Sequence, residues 1–350
     1  MSDKEFNPAQ CGLLPHGGQL QLAAEQFAIP IGQWLDLSTG INPNGWPIVD
    51  LPPNIWSRLP EYNDGLEIAA QNYYQVKNLL VTAGSQAVIQ TLPRLRSACR
   101  VAIIEPSYNE HAYAWRSAGH QVQLVSIDHV EQALVDSDVL VVVRPNNPSG
   151  DCIPCHQIMD WHAHLARRQG WLLVDEAFID PTPEQSLTPS SDTDGLIVLR
   201  SLGKFFGLAG ARIGFAFAQP VLLQELHRIL GPWTVATPAR LIAKHALQDR
   251  GWQQQCQQQL IKNSQRLQQI LTQYKLPPDG GCALFQWCIS ENAAQIHQHL
   301  ANLGILTRLF DKPNSLRFGL PGKACEWNRL EIALRCLDEQ GHINNLHPEC

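Results

Sequence analysis

Basic runs are missing from this sequence: no stretch of Lys or Arg is longer than the pair Arg167-Arg168, and the formal charge is −6 over 350 residues. A nucleic-acid backbone therefore finds no electrostatic footprint, and small-molecule chemistry is expected instead. Long apolar runs are missing too. Nothing approaches the ~20 apolar residues of a membrane span, and the opening MSDKEFNPAQ is polar and acidic where a secretory signal is basic and then apolar. A cytoplasmic protein with neither membrane nor nucleic-acid partners is expected. Disulfide framework spacing is absent among the ten cysteines, and a chain this long buries enough surface without cross-links, so free thiols are expected. Cys152-Ile-Pro-Cys155 with His156 is half of a zinc pattern. No second CxxC or HxxxH completes it, and no metal is expected. Charged residues reach only 17% against 44% apolar, which leaves little room for long disorder.

What is present is a repeated unit. From Leu79 a short β-rich run, a turn and ten or more residues at helical spacing recur: LLVTA (79–83), VAIIEP (101–106), QVQLVSI (121–127), VLVVVRP (139–145), WLLVDEAF (171–178) and GLIVLRSL (195–202). Strands this uniformly apolar suit burial on both faces, as in a parallel sheet between helices. After Pro220 long helices take over, the last broken by Pro277-Pro278-Asp279-Gly280-Gly281. A strand (ALFQWCI), a helix, two short strands around LTRLF and SLRFGL and a terminal helix follow. The expected organisation is an arm over 1–35, a large domain over 36–225 and a smaller α+β domain over 226–350.

Polar residues at the strand ends are the candidates for chemistry. Lys204 lies amid Gly and Phe in SLGKFFGLAGAR, after a buried strand, where open α/β sheets place ligand crevices. Desolvation favours its neutral amine, the form that attacks a carbonyl; the alternative is a stem packed on Phe205 with the head in water. Asp175 ends another strand and needs a cationic partner, either a protonated ring nitrogen or Arg200. Gly84, Ser85 and Gln86 open a helix after a strand, which suits a phosphate or is simple capping. Asn147 sits in the turn PNNPSG, where it either aims its amide at a ligand or only serves the turn. Tyr108 either stacks on a flat ring or packs locally. Arg308 and Arg317 each lie in a short strand, ready for a carboxylate or phosphate or simply at the surface. His16-Gly17-Gly18 combines a ring donor with bare backbone, suited to an anion or idle in a loop.

In order along the chain, AGSQ, Tyr108, NNPSG, DEAF, SLGK and the GxRxG around Arg212 resemble the fold-type I pyridoxal-phosphate enzymes related to aspartate aminotransferase. The resemblance implies an α/β fold with a mainly parallel sheet between helices and a smaller C-terminal α+β domain. It implies pyridoxal phosphate held as a Schiff base on Lys204, with Gly84, Ser85, Gln86, Ser201 and Arg212 at the phosphate. Tyr108 then stacks on the ring, Asn147 meets its phenolic oxygen and Asp175 its nitrogen. Within that superfamily HGGQLQLAA (16–24), WLDLSTGINPNGWP (34–47), DEAFIDPTPEQSL (175–187) and RSLGKFFGLAGARIGF (200–215) are most similar to the threonine-phosphate decarboxylases of cobalamin biosynthesis. Histidinol-phosphate aminotransferases are the near cousins.

By position, His16, Gly17, Asn42, Asn147, Arg308 and Arg317 are then expected to contact the amino-acid phosphate, Arg317 its carboxylate. Phe178 departs from the tyrosine of many relatives, which leaves the phenolic oxygen largely to Asn147. The product implied is (R)-1-aminopropan-2-yl phosphate, for the cobalamin aminopropanol linker. A homodimer with a shared active site is implied, with Tyr62 the candidate from the partner subunit. Two readings compete: an aminotransferase for histidinol phosphate, and a nucleotide-binding protein, which would show a GxGxxG that the sequence lacks.

Overall fold

The computed structural model describes Leu14 and residues 16–339. Its elements in chain order begin with α1 (Leu20–Phe27), β1 (Leu35–Asp36), α2 (Leu66–Tyr74), β2 (Leu80–Thr82), α3 (Ser85–Thr91), β3 (Arg100–Ile104), α4 (Glu110–Ser117), β4 (Gln121–Val125), α5 (Val130–Leu134) and β5 (Val139–Val143). There follow α6 (Cys155–Ala166), β6 (Trp171–Asp175), β7 (Leu196–Ser201), β8 (Gly214–Phe217), α7 (Pro220–Leu230), α8 (Thr237–Gln248) and α9 (Arg250–Gln273). The chain ends with β9 (Gly280–Cys282), β10 (Phe285–Ile289), α10 (Ala293–Asn302), β11 (Ile305–Leu306), β12 (Arg308–Asp311), β13 (Asn314–Gly319) and α11 (Ala324–Glu339).

Seven strands form the large sheet in the order β2-β8-β7-β6-β5-β3-β4. All neighbours from β7 to β4 are parallel, as the apolar runs predict, and β8 alone runs antiparallel between β7 and β2. Strand alternation divides the core. Leu140, Val142, Leu172, Val174, Leu196 and Val198 face the α6, α8 and α9 side. Val139, Val141, Leu173, Ile197 and Leu199 face α3, α4 and α7. That is the three-layer arrangement a doubly covered sheet requires.

A second, antiparallel sheet runs β12-β13-β10-β9 near the C-terminus. Its register sets Arg308 opposite Arg317. The short β1 pairs in parallel with β11, so residues before the large sheet are joined to those after it. Helix α8 packs on α2, where Arg240 grips Asp64 at 2.7 Å and Glu67 at 2.8 Å.

At the carboxyl ends of β5, β6 and β7, the same alternation that splits the core sends Val143, Asp175 and Ser201 to one face and Arg144, Glu176 and Arg200 to the other. The second set forms a buried charge cluster. Glu176 lies 3.5 Å from both Arg144 and Arg200, accepts from the Leu187 amide at 2.8 Å, and Arg200 also pairs with Asp180. Tyr73 Oη donates to Asp180 at 3.0 Å. Burial pushes both carboxyls up from their ordinary values while the arginines pull them down. Replacing Glu176 by Ala takes the carboxylate from buried Arg144 and leaves buried Arg200 with Asp180 alone. Urea unfolding of Glu176→Ala should show a stability loss of about 3 to 5 kcal/mol, and a loss under about 1 kcal/mol would mean the cluster does not hold these strand ends.

Candidate active site

The first set lines a pocket. Val143, Asp175 and Ser201 are joined there by Gly84, Ser85, Gln86, Tyr108, Asn147, Ala177, Phe178, Lys204 and Arg212. Asp175, only 3% exposed, receives the Ala177 amide on Oδ1 at 3.1 Å and His111 Nε2 on Oδ2 at 3.1 Å. Because an ionised carboxylate only accepts, the proton of that contact belongs to His111 Nε2. His111 is fully buried on α4, and the sequence reading passed it by. Its signal was the three-residue spacing from Tyr108, which sets both rings at the same end of α4.

Lys204 sits in the turn after β7, and that turn is held from outside. The Lys204 carbonyl accepts from the Asn42 amide at 3.0 Å and the Gly207 amide at 3.1 Å, and the Phe206 carbonyl accepts from the Trp46 amide at 2.8 Å. Gly207, at φ +68°, passes so near Gly45 that a Cβ on it would lie 2.5 Å from the Gly45 Cα. Phe205 and Phe206 are fully buried, with Trp252 stacked on Phe206 at 5.6 Å. The Lys204 amine points over the Phe178 ring, 5.2 Å from its centre. Burial above all, with the Arg317 guanidinium next, lowers its pKa to about 8, against the opposing pull of Asp175.

Gly84, Ser85, Ser201 and Arg212 form one corner. Gly84 has φ +76°, and a Cβ there would come within 2.8 Å of an Arg212 nitrogen; Gly214 lets β8 pass beneath, since its Cβ would strike the Ser85 amide at 2.5 Å. This is a concave, cationic corner lined by hydroxyls and bare backbone. Gln86 borders it, but its amide is tied elsewhere: Nε2 donates to Glu110 at 2.7 Å and Oε1 accepts from Tyr108 Oη at 3.1 Å. Desolvation, and then the charge of Glu110, raises the Tyr108 phenol well above its ordinary value.

Arg317 is not among the lining residues but abuts them through Asn147, and it is 6% exposed. It donates to Asn147 Oδ1 and to the Ser38 carbonyl at 2.8 Å, both neutral acceptors, and its Nε finds no partner among the described residues. Burial first, then Arg308, lowers its pKa to about 10. Since Arg317 can only donate, Asn147 must present its oxygen to it, which turns the Asn147 NH₂ away from Arg317. Arg308, its cross-strand neighbour, lines an adjoining cleft with His16, Gly17 and His297. His16 Nε2 meets Glu110 Oε1 at 2.7 Å, and its ring lies 5.9 Å from that of Tyr108.

Two predicted residues stand apart from this pocket. The buried Asn42 spends its side chain on the Phe205 carbonyl at 2.9 Å, Cys256 Sγ at 3.1 Å and the Asn44 amide at 3.0 Å, beneath the Lys204 turn. Tyr62 is 55% exposed and packs edge-on against His227 in a separate groove with Trp233.

The arrangement brings together a depressed lysine amine, a braced buried carboxylate, a cationic phosphate-sized corner and a buried arginine that makes no ion pair among the described residues. Comparison with known proteins agrees. Residues 60–329 match the model of the family Aminotransferase class I and II. The chain is 51% identical over 330 residues to a threonine-phosphate decarboxylase of Pseudomonas aeruginosa, covering 94% of this chain and 100% of that one. A threonine-phosphate decarboxylase of Sinorhizobium sp is 38% identical, covering 91% and 97%. Among solved structures, the histidinol-phosphate aminotransferase from Sinorhizobium meliloti in complex with pyridoxal-5'-phosphate superposes with a TM-score of 0.80 at 19% identity, covering 97% of this chain and 99% of that one. With three quarters of its length matched by the family model and its fold shared with a solved member, the chain belongs to the class I and II aminotransferase family.

Proposed function

We propose that the chain is a pyridoxal-phosphate-dependent threonine-phosphate decarboxylase. It converts O-phospho-L-threonine, with uptake of a proton, to CO₂ and (R)-1-aminopropan-2-yl phosphate, the precursor of the cobalamin aminopropanol linker. The observation that carries the reading is the 51% identity to a protein of that name over nearly the whole chain. The chemistry of the pocket supports it. Arg308 and Arg317, opposed on neighbouring strands, suit a substrate with two anionic groups, as O-phospho-L-threonine is.

The residues fit the cofactor. The corner of Gly84, Ser85, Ser201 and Arg212 has the donors for its phosphate, Asp175 braced by His111 has the charge for its ring nitrogen, and the Asn147 NH₂ suits its phenolic oxygen. Tyr108 would cover the ring, and the Lys204 amine would hold its aldehyde. Bound there, pyridoxal phosphate supplies an electron sink for whichever bond at the substrate Cα stands perpendicular to its ring. Arg317 decides which bond that is, by gripping the substrate carboxylate with two parallel hydrogen bonds. His16, Gly17 and Arg308 receive the phosphate. With the cofactor bound, the Lys204 Nζ would be the group that returns a proton to the substrate Cα. The same reading takes the chain as a cytoplasmic homodimer, with residues 36–225 as the cofactor domain and 226–350 as the smaller one. The exposed Tyr62 and Trp233, over apolar walls of Leu79 and Val81, are the surface a second copy would cover.

Purified protein incubated with O-phospho-L-threonine should release CO₂, with free threonine a poor substrate. Arg317→Ala should lose on the order of 10²-fold or more in kcat/KM, since a charge-assisted bidentate contact and the orientation it imposes vanish together. Conversion of histidinol phosphate and 2-oxoglutarate to glutamate, without CO₂ from phosphothreonine, would replace this function by transamination.

The lowered lysine pKa carries its own expectation. Only the neutral amine attacks an aldehyde, so pyridoxal-phosphate uptake by the apo-protein should be slow at low pH, rise through an inflection near pH 8, where Lys204 loses its proton, and level off above it. Lys204→Ala should leave nothing for borohydride to fix. An inflection near pH 10, or a label on Lys244, would remove Lys204 from the role.

A further inference from the structure

Glu110 is a carboxylate without an assigned task. It opens α4, its side chain is only 10% exposed, and its two oxygens serve two different segments. Oε1 takes His16 Nε2 from the N-terminal segment at 2.7 Å. Oε2 takes Gln86 Nε2 from the start of α3 at 2.7 Å. A surface carboxylate would be solvated, and a buried one is costly unless its partners repay desolvation. Here the partners are the residues that border the ligand space on two sides.

The polarity of the chain of bonds follows from Glu110. Because a carboxylate only accepts, Gln86 must offer it the NH₂ group and turn its carbonyl oxygen to Tyr108, whose hydroxyl then donates at 3.1 Å. For the same reason the His16 nitrogen facing Glu110 carries a proton, and Nδ1 is the one left for a ligand. His16 lines the cleft of Arg308, and its ring stands 5.9 Å from Tyr108. We propose that Glu110 is a positioning residue that joins the substrate-facing His16 and the ring-facing pair Gln86 and Tyr108 into one hydrogen-bonded unit. It thereby aims His16 at the substrate phosphate and sets the Tyr108 ring at once. The substrate half of this assignment rests on the function proposed above; the cofactor half does not.

The test compares wild type, Glu110→Gln, His16→Ala and the double variant in two measurements: steady-state kinetics on O-phospho-L-threonine, and titration of apo-protein with pyridoxal phosphate followed by its visible absorbance. Glu110→Gln should raise KM about tenfold, the loss of one charge-assisted bond at the phosphate, with kcat changed less than about threefold. In the His16→Ala background the same substitution should add less than about twofold to KM, because its route to the substrate is already gone. Cofactor affinity should fall severalfold with Glu110→Gln in both backgrounds, through Gln86 and Tyr108. A KM within twofold of wild type, or the full tenfold penalty persisting without His16, overturns the proposal. Should Glu110→Gln not fold, Glu110→Asp, which keeps the charge but cannot span both partners, enters the same cycle. If the wild type does not turn over phosphothreonine, the substrate reading fails by itself, and the cofactor titration decides: unchanged affinity in Glu110→Gln then refutes the unit.

Discussion

The two-residue alternation at the ends of β5, β6 and β7 is the constraint on which the site depends. Val143, Asp175 and Ser201 face the pocket only because Arg144, Glu176 and Arg200 face away into the buried charge cluster. A slip of one residue in β5 or β7 would bring an arginine into the pocket and leave a valine or serine among the three remaining charges, and a slip in β6 would put Glu176 where Asp175 stands. Apolar neighbours tolerate such a slip far better than ion pairs do, because a hydrophobic contact has no direction. The cluster adds little net stability for its desolvation cost, but it distinguishes one register from its neighbours. Asp175 is placed by charges it never touches.

Lys204 is positioned differently. Its turn is closed by its own bonds and gripped from residues 42 to 46 through the carbonyls of Lys204, Phe205 and Phe206. Asn42 is therefore part of the lysine's support, and the separation of about 160 residues makes the active site a long-range product of the fold. The electrostatics agree with the support. Lys204 feels the positive charges of Arg317 and Arg212 against the carboxylate of Asp175, an excess of positive charge that favours a neutral amine and attracts anionic ligands.

Much of this was legible in the sequence because it depended on local pattern. Apolar runs located the strands, and the residues at their ends, Gly84, Ser85, Tyr108, Asn147, Asp175, Ser201, Lys204 and Arg212, do line one pocket. β8 was not read: GFAF follows a turn without a helix, so the unit of strand and helix that marked its neighbours is missing. The pairing of β1 with β11 joins two strands of two residues each across the whole chain, too short for any periodicity. His111 and Glu110 were hidden for another reason. In EHAYAWRS a polar residue at the start of a helix is ordinary on a solvated face, and only the packing of α4 over the strand ends makes these two buried. Asn42 showed the reverse failure: a motif gave its importance but not its direction.

On the proposed function, the choice between breaking the bond to the carboxylate and breaking the bond to hydrogen is a matter of a dihedral angle, and Arg317 is the group that would fix it. That guanidinium is held by β13, by the Ser38 carbonyl after β1 and by Asn147 after β5, with the Phe285 ring beneath it at 5.0 Å. Three segments far apart in sequence thus set one group, and a planar fork so held loses little further entropy on meeting a carboxylate. Asn147 gives Arg317 its oxygen and keeps its NH₂ for the cofactor, so on the proposed reading the plane of the ring and the grip on the carboxylate are referred to the same amide. An arginine that merely bound the substrate would lower KM and leave the outcome open. One that shares its anchor with the ring sets the angle between them, and that angle is what selects the bond.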